Sequence, residues 1–359
     1  MSGMNSLFVL TDVLVSTGDE FIEKGYVEVE GGNITRFGSG ESTNTTNSKT
    51  PIISKRGCTL LPGLIDSHIH GLGGNILSIE QSLRFGVTTT KNTINSWPKL
   101  TKPLEAYAFL MHELGYSIIV NLLPPSLDLQ RVIVAAAHAQ GLLAVGHAFS
   151  FQGAVDLLSC GVDGLTHSFI DKPTSDQHIE LAKRNNARHN PTLTVCASQT
   201  REGDEMQVKF HNDPLAKRML FDTTPRQPLA LGNEDSRVEN AYQRTRDMYK
   251  AGIPIMVGSD SSGQVRGSQF GLGVHMEIHA MVHKAGITVV DVFKGATSLV
   301  ADRFGFHDRG RIEVGRKADL VLVEGDVSEF LAKEDNLCLP ICGVWRDGVV
   351  AKVYEEVMS

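Results

Sequence analysis

The chain has 359 residues, a formal net charge of −7 and 41% hydrophobic residues. That length allows one large domain with a smaller one beside it. The acidic balance and the lack of a basic cluster argue against a nucleic-acid partner. No run approaches the roughly 18 apolar residues of a membrane span, and residues 1–6 lack the features of a signal peptide. Five scattered cysteines favour reduced thiols, so we expect a cytoplasmic protein that acts on a small molecule, with a homo-oligomer possible.

The hydrophobic pattern changes twice along the chain. Residues 6 to about 60 alternate apolar and polar positions between turn-forming residues, which predicts short antiparallel strands. From about 61 to 305, strand and helix patterns alternate, which favours a parallel sheet. Residues 311–324 and 341–354 return to strand character. The predicted units are a small β-sandwich domain over residues 1–60 and 311–359 and a (β/α) barrel over residues 61–310.

Seven segments of the central region are candidate barrel strands. A complete barrel has eight, so an early strand between Thr93 and Gly115 is expected to be short, irregular or absent. The polar segment from Gln199 to Asn240 is predicted to be a long loop that covers the substrate. The candidate strands lie near residues 64–68, 87–93, 117–122, 142–146, 162–166, 191–195 and 253–258.

The segment Leu61–His70 reads as a short apolar strand that ends in two histidines. In a strand, side chains two residues apart point to the same side, so His68 and His70 project together. Two neutral imidazoles placed in this way are suited to hold one divalent cation. The preceding Pro62, Gly63 and Asp66 strengthen the prediction of a metal site.

Three further apolar segments each lead into a residue that ligates metals. These residues are His147, His167 and Asp260. In parallel barrels, active sites form at the carboxyl ends of the strands, so all five side chains should converge at one mouth. The sequence therefore predicts a catalytic metal site rather than scattered polar residues.

These motifs resemble those of the amidohydrolase superfamily, in particular its imidazolonepropionase-like and metal-dependent prolidase-like members. The resemblance covers the opening strands over residues 8–34, the Gly295–Ser298 motif and the C-terminal return over residues 310–323. It implies a TIM-like (β/α)8 barrel with a small β-sandwich domain built from both termini. It also implies a metal-dependent hydrolase of carbon–nitrogen bonds other than peptide bonds, such as an amide, a cyclic amide or a dipeptide-like bond.

Many members of this superfamily hold two metals bridged by a carboxylated lysine after the fourth strand, and Val120 occupies that position here. Without the bridge, two divalent cations are poorly neutralised in a low-dielectric site. We therefore favour one zinc ion, with iron or manganese as alternatives, held by His68, His70, His147 and Asp260. In the two-metal alternative, His147 and His167 hold a second ion, and Lys91 is a conceivable bridge.

The predicted chemistry is attack of a metal-activated water on a carbonyl, with Asp260 as general base. His167 is expected to stabilise the oxyanion with the metal. Ser150 stands where family deaminases and imidazolonepropionases carry a glutamate, which lowers the deaminase alternative. A metal-dependent decarboxylase and a catalytically silent scaffold remain the other candidates.

Five residues are predicted to contact the substrate because they follow strands that open onto the mouth. Arg266 could bind a substrate carboxylate through two parallel hydrogen bonds. His275 begins a helix close to the last strand, whereas His279 and His283 on the same helix are expected to be structural. The predicted substrate contacts are Trp97, Lys91, Gln264, Arg266 and His275.

Overall fold

The computed structural model describes residues 6–42, 50–71, 76–92, 118–121 and 126–358. In this part of the chain, strands β1 to β14 are Leu7–Ser16, Phe21–Glu30, Asn33–Ser39, Ile52–Ser54, Thr59–Pro62, Leu64–Ile69, Val87–Asn92, Ile118–Asn121, Leu143–His147, Gly164–Thr166, Arg188–Asn190, Leu320–Val323, Ile341–Arg346 and Val349–Val350. Helices α1 to α13 are Ile76–Arg84, Leu127–Ala139, Phe151–Ser159, Asp176–Arg184, Leu193–Thr200, Asp204–Asn212, Pro214–Met219, Val238–Lys250, Leu272–His283, Val289–Gly295, Ser298–Phe304, Val327–Leu331 and Glu355–Met358.

Strands from both ends of the chain form one sheet. Its order is β14-β13-β12-β5-β1-β2-β3, and β4 pairs with β1 on one side. The N-terminal and C-terminal strands meet where β5 pairs antiparallel with β12, from Leu320 opposite Pro62 to Val323 opposite Thr59. The strands form a single hydrogen-bonded sheet across the described residues, so the small β domain is built from both termini. Its boundaries at residues 60 and 310 remain a prediction.

A parallel arrangement occupies the central region. Strands β6 and β7 pair with each other, and β8, β9, β10 and β11 form a second parallel sheet. Residues 253–261, the last-strand segment, join the two sheets. On one side Met256 donates its N–H to the carbonyl of His189 in β11, and on the other Ser67 in β6 donates to Val257. These seven elements form an arc of parallel strands, and the interval between β7 and β8 lies outside the described residues.

One predicted strand is wrong, and one predicted loop contains two helices. The segment 191–195 is not a strand, because β11 ends at Asn190 and Leu193 begins helix α5. Thr192 has a left-handed backbone (φ 47°), which breaks the extended conformation between the two elements. The expected loop from Gln199 to Asn240 contains α6 and α7. Asp213 caps α7 by accepting the N–H groups of the next turn, where Pro214 fits the first position.

The helices pack around the parallel strands and share one apolar core with them. The longest described helices, α2 and α8, have 13 residues each. Among the described segments, none of the helices combines the length and the apolar character that a membrane crossing requires. The packed helices leave the carboxyl ends of the strands as the place where polar side chains collect.

Candidate metal centre

Asp260 stands between the two histidines of β6. His68 Nε2 lies 3.1 Å from Asp260 Oδ1, and His70 Nε2 lies 2.5 Å from the same oxygen. The backbone sets this arrangement, because the Asp260 N–H donates to the carbonyl of His68 and the His70 N–H donates to that of Ser261. The last-strand segment therefore carries its carboxylate to the end of β6, as the sequence predicts.

His147 and His167 come together on the other side of Asp260. Their ring centroids are 4.4 Å apart, and Phe149 stacks on the His167 ring at 4.2 Å with an interplanar angle of 18°. His167 Nδ1 lies 3.8 Å from Asp260 Oδ2. All five predicted ligands thus gather at one place, at the carboxyl ends of four parallel elements.

The distances favour His167 over His147 as the partner of the first group. One ligand atom from each of His68, His167 and Asp260 lies within 4.8 Å of the others. His167 is buried and 1% exposed, whereas His147 is half-buried. The predicted roles, with His147 as a metal ligand and His167 beside the substrate, stay a prediction.

Three residues at the strand ends have left-handed backbones that non-glycine residues rarely adopt. They are His167 (φ 72°), Asp260 (φ 53°) and Thr192 (φ 47°). Such conformations persist where the surrounding contacts fix them, and they cluster at functional sites. Thr192 Oγ1 lies 2.7 Å from His167 Nδ1 and so fixes the orientation of that ring. Residue types alone did not single out Thr192, because its contact depends on this backbone turn.

The protonation states of the cluster suit a cation. Burial, and then the neighbouring His147, lowers the pKa of His167 well below its usual value, and burial lowers the pKa of His147 to about 4. Burial opposes ionisation of Asp260, but the neighbouring His167, His68 and His70 hold its pKa well below its usual range. A carboxylate beside neutral imidazoles is the form in which these groups ligate metals. The described residues therefore fit a divalent cation.

Asp66 ties β6 to the last-strand segment behind the cluster. Its Oδ1 accepts the N–H groups of His68 (3.2 Å) and Ser259 (2.9 Å), and its Oδ2 accepts the Ser259 hydroxyl at 2.5 Å. Burial raises the Asp66 pKa to about 6 against the opposing hydrogen bonds from Ser259. Asp66, two residues before His68, thus holds β6 and the last-strand segment together.

No described lysine takes the place of the missing bridge. Val120 lies in β8, paired with Val145 of β9. Asp66 pairs with Thr90, so the adjacent Lys91 points to the opposite face of β7, where its Nζ lies 5.5 Å from the Phe304 ring centroid. The predictions of Lys91 as a bridge and as a substrate contact are therefore corrected.

His275 is also turned away from the cluster, against prediction. Its Nε2 lies 2.9 Å from the carbonyl oxygen of Phe85, and its Nδ1 accepts the N–H of Leu339. Both ring nitrogens are used within the protein and the side chain is buried. His275 therefore joins helix α9 to its neighbours and has no free group for a substrate.

The loop after Asp260 holds two of the other predicted contacts. Arg266 forms an ion pair with Asp204 at 3.0 Å and donates from Nε to the carbonyl of Arg226 at 3.1 Å. These contacts anchor the loop and direct the Arg266 guanidinium toward protein groups. Gln264 is exposed. Trp97 lies outside the described residues, so its predicted contact stays a prediction.

Comparisons with known proteins bear on the family and the fold. Dihydroorotase from Pyrococcus horikoshii is 22% identical over 354 residues, covering 88% of this chain and 82% of that protein. The structure of a Xaa-Pro dipeptidase with bound methionine in the active site is similar with a TM-score of 0.70 and 17% identity, over 96% of this chain and 99% of that one. The structure of molinate hydrolase is similar with a TM-score of 0.71 and 17% identity, over 98% of this chain and 95% of that one.

The fold implied by these structures is a TIM barrel with a small β domain, which agrees with the described strand arc and the sheet from both termini. The sequence profile of the amidohydrolase family matches residues 126–355. That match spans more than half of the chain and confirms the superfamily inferred from the sequence motifs. The chain therefore belongs to the amidohydrolase family.

Proposed function

We propose that this protein is a metal-dependent hydrolase of a small molecule, which it cleaves at a carbon–nitrogen bond of an amide, cyclic amide or dipeptide-like group. The observation that carries the proposal is the convergence of the Asp260 carboxylate with the imidazoles of His68, His70 and His167 at strand ends. Membership of the amidohydrolase family supports the reaction class. The similar dipeptidase and molinate hydrolase, named as hydrolytic enzymes, support it further.

The residues best placed to hold a cation are His68, His70, His167 and Asp260. Together they supply three neutral nitrogens and one negative charge, a donor set common at catalytic zinc sites. A divalent cation bound there lowers the pKa of a water molecule and polarises a carbonyl group. The single carboxylate favours one ion, because a second divalent charge finds no additional described anion in the cluster.

Asp260 is the proposed proton carrier. Its two oxygens have different neighbours: Oδ1 faces His68 and His70, whereas Oδ2 faces His167 at 3.8 Å. The less crowded Oδ2 is the atom we assign to accept the proton of the attacking water. The same atom then delivers this proton to the leaving nitrogen, which departs as a neutral amine.

His147 is the proposed donor to the substrate. Its low pKa keeps the ring neutral near pH 7, so one ring nitrogen carries a hydrogen. Because His147 is half-buried beside the cluster, that N–H is able to reach a substrate carbonyl oxygen and stabilise charge that develops on it. Phe149, at 4.9 Å from the His147 ring, limits its rotation.

A hydrolysis screen tests the proposal. Metal-supplemented protein is incubated with N-acyl amino acids, dipeptides and small cyclic amides, and released amine is measured by mass spectrometry. We expect amine release that a chelator abolishes and that Asp260→Asn lacks, whereas Asp302→Asn, at an exposed aspartate, retains it. Carbon dioxide release without amine release contradicts hydrolysis and favours the decarboxylase alternative.

A further inference from the structure

Arg244 is a fully buried arginine with an unusual environment. It lies on α8, is 0% exposed, and forms no ion pair with a carboxylate among the described residues. Burial lowers its pKa to about 9, which still leaves the guanidinium charged near pH 7. Burying a charge without a counter-ion is costly. A position of this kind indicates a specific task for the side chain.

The contacts of Arg244 lead directly to the metal cluster. Its Nη1 donates to the carbonyl of His167 at 2.8 Å, and its Nη2 lies 3.2 Å from His178 Nε2. Burial and then the charge of Arg244 lower the His178 pKa to about 2, so this imidazole is neutral and accepts the hydrogen bond. The guanidinium also lies 4.4 Å from the centroid of the Phe169 ring.

The bond to His167 acts on a strained residue. His167 has a φ of 72°, and its N–H donates to Asn190 while its carbonyl accepts from Arg244. The next N–H, of Ser168, donates to Pro191. Hydrogen bonds therefore fix both peptide groups of His167, and the one from Arg244 is strengthened by its charge.

Thr245, the residue after Arg244, contacts the same turn. Thr245 Oγ1 lies 3.3 Å from Ser168 Oγ, which in turn lies 3.0 Å from His189 Nε2. Two adjacent residues of α8 thus contact two adjacent residues of the turn. The outer helix is thereby coupled to the strand end that carries His167.

We propose that Arg244 is a positioning residue that holds His167 in its left-handed conformation and so directs the imidazole toward the cation. The inference rests on the proposed function, because it takes His167 as part of the ligand set. Arg244 does not touch the substrate. Its effect reaches the cation through the backbone of His167, as expected for a group that orients a metal ligand.

The test compares zinc dissociation constants of folded apoprotein by competition with a chromophoric chelator, well below the unfolding temperature. Arg244→Met removes the hydrogen bonds and is expected to weaken zinc binding about 10- to 100-fold. Arg244→Lys keeps the charge but offers one nitrogen where Arg244 uses two, so zinc binding should weaken measurably, though less than in Arg244→Met. The matched control is Arg246→Met on the same helix, because Arg246 donates to the carbonyl of Lys284, away from the cluster. It should bind zinc like the wild type.

Each outcome has a separate meaning. Wild-type protein that binds zinc, with an Arg244→Met variant that binds it equally well, overturns the positioning role but leaves the proposed function intact. Wild-type protein that binds no divalent cation overturns the proposed function itself. If Arg244→Met does not fold, Arg244→Lys decides: weaker zinc binding supports the role, and wild-type affinity overturns it.

Discussion

The two sides of the candidate centre differ in charge and in the residues that form them. The carboxylate side consists of His68, His70 and Asp260, with nitrogen–oxygen distances of 2.5 and 3.1 Å. The aromatic side consists of His147, Phe149 and His167. Phe149 stacks on His167, and His147 meets both rings edge-on. Asp260 serves both sides, through Oδ1 for one and Oδ2 for the other.

This difference indicates how many divalent cations the cluster is able to bind with their charge neutralised. Two divalent cations bring four positive charges, and in a poorly solvated site such charge requires nearby anions. The carboxylate side provides one anion that is free to ligate, because Asp66 behind it is occupied by His68 and Ser259, and the aromatic side provides none among the described residues. We therefore expect the carboxylate side to define one ion and the aromatic side to complete its coordination and contact the substrate.

The largest expected effect comes from removing the shared anion. Asp260→Asn should lower turnover about 10²- to 10⁴-fold, because it removes the proton carrier, and it should also weaken metal binding. The measurement is turnover of a hydrolysed substrate with saturating metal, alongside metal content. Turnover close to wild type would contradict the assignment of Asp260 as the proton carrier. Asp302→Asn is the control, since Asp302 binds Arg311 away from the cluster.

The next largest effect separates the two sides directly. His70→Asn should abolish tight metal binding, because it removes a nitrogen from the carboxylate side. His147→Asn should leave most of the metal affinity and reduce turnover at saturating metal instead. Both variants are measured by zinc titration and by steady-state kinetics. Equal losses of metal affinity in the two variants contradict the division between the sides.

A smaller effect is expected from the hydroxyl that orients His167. Thr192→Val keeps the shape of the side chain but removes the partner of His167 Nδ1, so zinc affinity should fall about tenfold. Thr192→Ser keeps the hydroxyl and serves as the control, with affinity close to wild type. Zinc competition at constant pH provides the measurement. Equal zinc affinities of the valine and serine variants would show that the Thr192 hydroxyl does not orient His167 for metal binding.

The effect furthest from the metal chemistry concerns Glu277, a buried carboxyl on α9. Glu277 accepts the N–H groups of Leu193 and Thr194 at the start of α5, and burial raises its pKa to about 8 against these bonds. The native pKa exceeds the usual value of 4.5, so the folded state binds this proton more tightly. Its contribution to the free energy of unfolding is full below pH 4.5 and is lost as pH rises to about 8.

Glu277→Gln should remove that pH dependence, because the amide resembles the protonated acid. Relative to the wild type, the variant should gain stability between pH 5 and pH 8, by at most about 1.4 kcal/mol per pH unit. Urea unfolding of metal-free protein at several pH values measures the difference. Glu239→Gln, at an exposed glutamate, is the control. A constant difference across this range would contradict a protonated Glu277.

Residue types at strand ends were sufficient to find the five residues of the cluster. The alternation of apolar and ligand residues is local, so His68, His70 and Asp260 could be placed from sequence alone. Which of His147 and His167 lies nearer to His68 and Asp260 could not, since it depends on distances between separate strands. The contact of Thr192 with His167 could not be predicted, because it arises from a backbone conformation that residue type does not reveal.

Errors in the fold and in the substrate contacts have equally specific causes. The apolar run after Pro191 was taken for a strand, yet it forms helix α5, which is buried on nearly all sides and lacks helical periodicity. His275 was placed near the substrate by its position after the last strand, whereas its bonds to Phe85 and Leu339 involve distant parts of the chain. Arg244 lies on an outer helix, and only the packing brings it to His167.

Metal content per chain is the most direct test of a single-ion centre. Protein purified without added metal, and then after dialysis against zinc, is analysed by inductively coupled plasma mass spectrometry with the chain concentration from amino-acid analysis. We expect one tightly held divalent ion per chain, which is lost in Asp260→Asn. Two tightly held ions per chain would contradict it and would require an additional anionic ligand on the aromatic side.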